Sequence, residues 1–262
     1  MHWKGRLVKL RVIDSSGERG IPGALNMGID EALLGSVSRF EAEPTLRFYT
    51  WSPACVTVGY FQSLEEEVDL EACRRSGVDA VRRLTGGGAV FHDAELTYSI
   101  ILPLSHELAP DDILESYRRI CSGLVAGLDR LGVEASFEPL NDISVGGKKI
   151  SGNAQTRRGS CLLQHGTILL DSDPDRMFSL LKVPAEKLKG KLIEDVKSRV
   201  TGLRSLLGRE VSAAETAASI KEGCAEAWGA ELVSGGLSAA EAKAAASFAA
   251  ERFSSLAWNA RR

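Results

Sequence analysis

The sequence predicts an α/β fold of the α+β type: a mostly antiparallel mixed sheet with packed helices. Three observations carry that expectation. Short apolar runs separated by turn residues recur through the first 170 positions, the pattern of successive strands. Ile113, Tyr117, Ile120, Leu124 and Leu128 repeat at helical spacing between Pro110 and Gly132. Beyond position 184 the chain becomes lysine-rich and then alanine-rich, which predicts a helical C-terminal third over about residues 205–262.

The elements follow in order. Val8, Leu10 and Val12 alternate with Lys9 and Arg11 and read as an opening strand. Leu25, Ile29 and Leu33 predict a helix over 24–34. Strands are expected at 46–49 and 55–59, then a helix at 65–75 closed by Gly77. Further strands are expected at 78–83, 89–91 and 96–102. Gly146-Gly147 between two short alternating runs is a two-residue hairpin signal. A strand follows at 161–170. Asp173-Pro174 supplies a cap and first-turn proline for another helix. Two alanine-rich helices are expected at about 211–229 and 237–255.

Composition narrows the function. Of 262 residues, 44% are apolar and 26% charged, a globular balance with ample core. The formal net charge of −3 argues against a general nucleic-acid binder, which needs a basic footprint. No run approaches the ~18 apolar residues of a membrane span. Lys4, Arg6, Lys9 and Arg11 interrupt any secretory apolar segment. Five separated cysteines without a C-x-x-C pair suit a reducing cytoplasm better than a zinc site or disulfide framework.

Four segments could carry chemistry. In Arg82 to His92, three adjacent glycines after a strand can bring backbone N–H groups close to a ligand. The two arginines can offer forked donors to phosphate or carboxylate. The same run also reads as a flexible turn, and it is neither a Walker loop nor a dinucleotide fingerprint. In Asn141 to Gln155, strand alternation puts Lys149 and Ser151 on one face and Lys148 and Ile150 on the other. One lysine should then point toward whatever the sheet binds, unless both are solvated beside the turn. His165 stands in an apolar strand as a satisfied core group or a site residue. Lys189, Lys191, Lys197 and Arg199 form a basic run, either a solvated face or a mobile loop closing over phosphate.

Together these segments resemble the lipoate–protein ligase A family, within the superfamily of biotin ligases, lipoate ligases and octanoyltransferases. Five blocks carry the resemblance across nearly the whole chain: Asn26 to Ala32, Leu46 to Trp51, Arg82 to His92, Asn141 to Gln155, and Ser198 to Thr201. Trp258-Asn259 is similar to the end of that catalytic domain. The resemblance implies one catalytic domain over 1–262 that joins lipoate and Mg-ATP into lipoyl-AMP. It then transfers the lipoyl group to a lysine of an acceptor lipoyl domain. It implies ATP and Mg2+ as cofactors, without a dedicated protein cage for the metal. The acceptor would belong to a 2-oxoacid dehydrogenase or be a glycine-cleavage carrier.

By that resemblance Lys149 is the central catalytic lysine. Arg83, Gly86, Gly87, Gly88, Ala89, Val90 and Phe91 would contact the nucleotide and acyl-adenylate. Asn141 and Asp142 would lie near the phosphates, the metal or the incoming lysine. Phe48, Tyr49, His92, Gly152, His165, Gly166 and Thr167 would line the acyl pocket.

The sequence departs from the larger ligases in stopping at Arg262, where they continue into an accessory domain. A separately encoded accessory protein is therefore expected. The alternative within the fold is an ATP-independent octanoyl or lipoyl transferase that uses a cysteine thioester. Cys161 lies near the site in sequence, but the family's transferase cysteines occupy other segments. The turn Leu181 to Pro184 carries none, and none lies between Cys121 and Lys149. Cys161 is expected to be a small buried residue. A catalytically silent acyl- or nucleotide-binding relative is the remaining alternative, and a biotin ligase lacks its arginine-rich block here.

Overall fold

The computed structural model describes residues 8–182 and 186–261, with only the backbone given at 8 and 186–189. Pro184 of the turn, Lys4 and Arg6, and the Lys189 side chain therefore lie outside the described residues.

The main sheet has eight strands. β1 (Val8–Asp14), β2 (Thr45–Tyr49) and β6 (Glu95–Pro103) lie side by side, β1–β2 parallel and β2–β6 antiparallel. β10 (Cys161–Leu169) continues the sheet against β6. It is followed by β9 (Lys148–Arg158), β8 (Asp142–Val145) and β7 (Ser136–Glu138), all antiparallel. β11 (Ala230–Ser234) closes the other edge parallel to β1. A second sheet of three strands orders β4 (Asp79–Arg82), β3 (Cys55–Val58) and β5 (Val90–His92).

Helices cover both faces of the large sheet. α1 (Gly23–Ser38) packs on one side with α9 (Ala239–Phe248), which continues as a π-helical turn at Ala249–Phe253. α4 (Ile113–Arg130) and α8 (Ala213–Trp228) pack on the other. Leu46, Phe48, Leu96, Tyr98, Ile100, Leu124 and Ile220 form the core beneath α4 and α8. Met27, Leu33, Tyr49, Trp51, Ile101 and Leu163 form the core beneath α1.

The helix expected over 65–75 is two short ones, α2 (Leu64–Glu67) and α3 (Leu70–Arg75). Val68 is extended between them and bridges Leu181, while Asp69 caps α3 through the Glu71 and Ala72 amides. The Asp173-Pro174 signal is realised in α5 (Pro174–Leu180), whose cap is the Asp173 carboxylate on the Arg176 amide. The basic run forms α6 (Glu186–Arg199), with Lys191, Lys197 and Arg199 exposed. A short α7 (Leu203–Leu207) follows, and α10 (Leu256–Asn259) ends the described fold. The sequence reading missed β7 and β11, edge strands of 3 and 5 residues. No helix among the described residues is long and apolar enough to cross a membrane.

Candidate active site

A cavity of about 580 Å³ opens between the large sheet, the small sheet, α5 and α6. That volume suits a small molecule with an apolar body. Its wall combines Met27, Trp51, Val90, Leu169, Met177, Val196 and Val200 with many polar residues, among them Arg83, Glu95, Asn141, Lys149 and Asn153.

The β8–β9 hairpin delivers the lysine. Gly146 and Gly147 have φ of 55° and 77°, the left-handed pair that a two-residue turn requires. The turn fixes the register. Lys149 and Ser151 then line the cavity, Ile150 enters the core under α4, and Lys148 is exposed. Lys149 Nζ stands 2.7 Å from Asp142 Oδ1, so the carboxylate aims the ammonium. A Cβ at Gly152 would meet Nζ at 2.7 Å, so glycine there leaves the lysine room to lie across its own strand. The Thr201 amide donates to the Lys149 carbonyl at 2.9 Å, which ties the end of α6 to the hairpin.

The two arginines of the glycine block brace the backbone. Arg83 is buried and donates to Thr57 O and Oγ1 and to the Gly86 and Gly88 carbonyls, at 2.7–3.2 Å. Burial lowers its pKa to about 10, still cationic at neutral pH. Arg82 donates to the carbonyls of Gly59, Tyr60 and Gln62 and of Trp258, Asn259 and Arg261. These donors shape the loop and hold the chain end, and Arg83 also lines the cavity. Buried carbonyls have no water to accept from, which is the physical demand they meet.

A buried polar network supports the floor. Asp30 accepts from Arg47 at 2.8 Å, Ser99 at 2.9 Å and Tyr49 at 3.3 Å. His165 places Nδ1 3.3 Å from Asp30 and Nε2 2.6 Å from Thr85 Oγ1. Burial opposes the Asp30 charge, but His165, Arg47 and Ser99 outweigh it and hold the carboxyl below its ordinary range. Burial depresses His165 against the pull of Asp30, so the ring is neutral, with Nδ1–H facing the carboxylate and Nε2 accepting from Thr85. A second chain runs beside it. His92 bonds Glu95 at 2.5 Å and Thr57 at 2.9 Å, and stacks on Trp51 at 4.1 Å between ring centres.

Tyr49, Arg83, Gly87, Gly88, Ala89, Val90, Phe91, His92, Asn141, Lys149, Gly152, His165, Gly166 and Thr167 all line the cavity. Gly86 does not, and Asp142 reaches it only through Lys149. Phe48 is a correction. It faces α4 and α8 because successive strand residues point to opposite faces, so it cannot share a pocket with Tyr49. Trp51, Thr57, Glu95 and Asn153 were missed. Trp51 and Asn153 stand inside the motif blocks, and alternation from Lys149 through Ser151 would have reached Asn153.

A sheet flanked by helices, with a hairpin lysine beside a glycine loop, frames the cavity. Residues 22–225 match the model of the lipoyl protein ligase A/B catalytic domain, and the chain belongs to this family. It is 40% identical over 234 residues to the octanoyltransferase LipM of Clostridioides difficile, spanning 82% of this chain and 86% of that one. It is 40% identical over 274 residues to the octanoyltransferase LipM of Symbiobacterium thermophilum, spanning 96% and 98%. Among solved structures it is similar to a bipartite lipoate protein ligase of Thermoplasma acidophilum, described with its E2 lipoyl domain. The TM-score is 0.84 at 29% identity, over 98% and 99% of the chains. A lipoate-protein ligase A bound with ATP gives 0.80 at 29%, over 97% and 98%.

These relatives correct the expectation of an ATP-dependent lipoate ligase. The curated relatives at 36–40% identity are octanoyltransferases, which favours the alternative of acyl transfer without nucleotide activation.

Proposed function

We propose that this chain transfers an octanoyl group from a thioester carrier to the ε-amino group of a lysine on a lipoyl domain. The observation that carries the reading is the 40% identity to octanoyltransferases across most of both chains. The lipoyl domain that accompanies the Thermoplasma ligase supports the acceptor class.

The geometry suits the chemistry. An eight-carbon tail is apolar and fits a wall of Met27, Trp51, Val90 and Met177. The thioester carbonyl would then lie toward Lys149, whose ammonium stabilises the oxyanion that forms as nitrogen attacks. Removing one such preorganised donor costs roughly 3–4 kcal/mol of transition-state stabilisation. Asp142 keeps the ammonium in place before substrate arrives.

The test supplies purified chain with an octanoylated acyl carrier and an apo-lipoyl domain, without nucleotide, and weighs the domain by mass spectrometry. The expected product is the octanoylated domain. A domain that stays unmodified unless free acid and ATP are added would overturn the reading.

A further inference from the structure

On the face of the sheet turned to α4, a chain of buried polar side chains interrupts the apolar core beside the Lys149 hairpin. Gln164 Nε2 donates to Tyr98 Oη at 2.7 Å, and Tyr98 Oη donates to Asn153 Oδ1 at 2.7 Å. Asn153 Nδ2 donates to the Asn141 carbonyl at 2.9 Å, and the Asn153 backbone amide donates to the same oxygen at 3.0 Å. The Asn141 carboxamide returns a bond to the Asn153 carbonyl. Tyr98 and Gln164 are fully buried, and Asn153 nearly so. Register explains the meeting. Tyr98, Gly166 and Asn153 are cross-strand neighbours on β6, β10 and β9. A Cβ at Gly166 would meet Asn153 Oδ1 at 2.1 Å, so glycine leaves the gap that the tyrosine hydroxyl reaches across.

The chain has a direction. An amide nitrogen only donates, and a phenol has one hydrogen to give. Gln164 Nε2 uses the Tyr98 oxygen as acceptor, so the phenol hydrogen goes to Asn153, which must present its own oxygen. Its nitrogen then faces the Asn141 carbonyl. The flipped amide would set two oxygens against each other out of water. Burial pushes the Tyr98 phenol well above its ordinary range, so it stays a neutral donor. Asn141 is followed by Asp142, whose Oδ1 aims the Lys149 ammonium. Resting on the transferase reading above, we infer that Tyr98 is a positioning residue for the transfer reaction. Acting through Asn153 and Asn141 from the α4 face of the sheet, it sets where Asp142 holds Lys149. Neither Tyr98 nor Gln164 lines the cavity, so neither acts by touching substrate.

The test places Tyr98→Phe in two backgrounds, the unaltered full chain and its Lys149→Ala variant, with an octanoylated acyl carrier and an apo-lipoyl domain as probes. The substitution keeps the ring and deletes one hydroxyl. In the unaltered background kcat should fall about tenfold, with KM for the carrier within about twofold of its original value. In the Lys149→Ala background, followed over longer incubations, the same substitution should change the residual rate by less than about twofold, because the group it positions is gone. Gln164→Met keeps the shape of the side chain and frees the phenol to turn. It should show the same dependence on Lys149 with a smaller fall, and it carries the test if Tyr98→Phe fails to fold. Equal falls in both backgrounds would reduce the chain to a structural contact and overturn the inference, as would an unchanged kcat. Either result leaves the transferase reading intact. No transfer from the thioester by the unaltered chain would instead defeat that reading, and this role with it.

Discussion

The two faces of the large sheet are built from the same strands and differ in chemistry. On β2 and β6, Leu46, Phe48, Leu96, Tyr98, Ile100 and Leu102 face α4 and α8 in a mostly apolar layer. The intervening residues Arg47, Tyr49, Glu95, Thr97 and Ser99 face α1 and the cavity, buried as deeply. Arg47 and Asp30 are each 1% exposed. One face stabilises by excluding water. The other holds charges that are tolerable only because each has partners, and it thereby fixes where the cavity floor lies.

The comparison can be broken most severely at the buried pair. Asp30→Ala leaves Arg47 without its counter-charge and should cost about 3–5 kcal/mol in urea unfolding. Phe48→Ala should cost a similar ~3–5 kcal/mol by opening a void. The two should diverge in activity. Folded Phe48→Ala protein should keep its acyl-transfer rate, whereas Asp30→Ala should lose it because His165 and Tyr49 lose their anchor. Equal rates in the two variants would show that the polar face does not position the site.

Lys149→Ala separates chemistry from stability. Transfer should fall about 10²–10³-fold, with a change in unfolding free energy of no more than ~1 kcal/mol for a half-exposed pair. Lys148→Ala should leave both unchanged, since that side chain faces solvent. A side-by-side rate assay with equal losses would overturn the facing. Gly152→Ala should fall between them, because the added methyl displaces the Lys149 tip and the flexible chain can partly give way.

A last test is a pH dependence of stability away from the site. Burial pushes His106 down to about 4, and its Nδ1 accepts the Leu108 amide at 3.2 Å. The unfolded chain binds this proton below its ordinary value of 6.5, while the folded chain resists until about 4. Stability is therefore present above 6.5 and declines as pH falls toward 4. His106→Gln should flatten that part of a urea-midpoint curve, and an unchanged slope would assign it to other groups.

Much of the architecture could be read from local pattern. Alternation located β1, short apolar runs located β2, β6 and β10, and Gly146-Gly147 fixed the hairpin that turns Lys149 inward. The edge strands β7 and β11 escaped because pairing, not their own alternation, makes them strands. The break at Val68 also escaped, since its cause is the bridge to distant Leu181.

By itself the sequence determined the mixed α/β class, the hairpin lysine and the glycine block, because periodicity and turn chemistry act over a few residues. Only the tertiary structure decided that Arg82 and Arg83 brace carbonyls, that Phe48 belongs to the core, and that all five thiols avoid the cavity. Those outcomes depend on which groups from distant segments meet out of water, and a buried donor, ring or thiol takes its role from those neighbours.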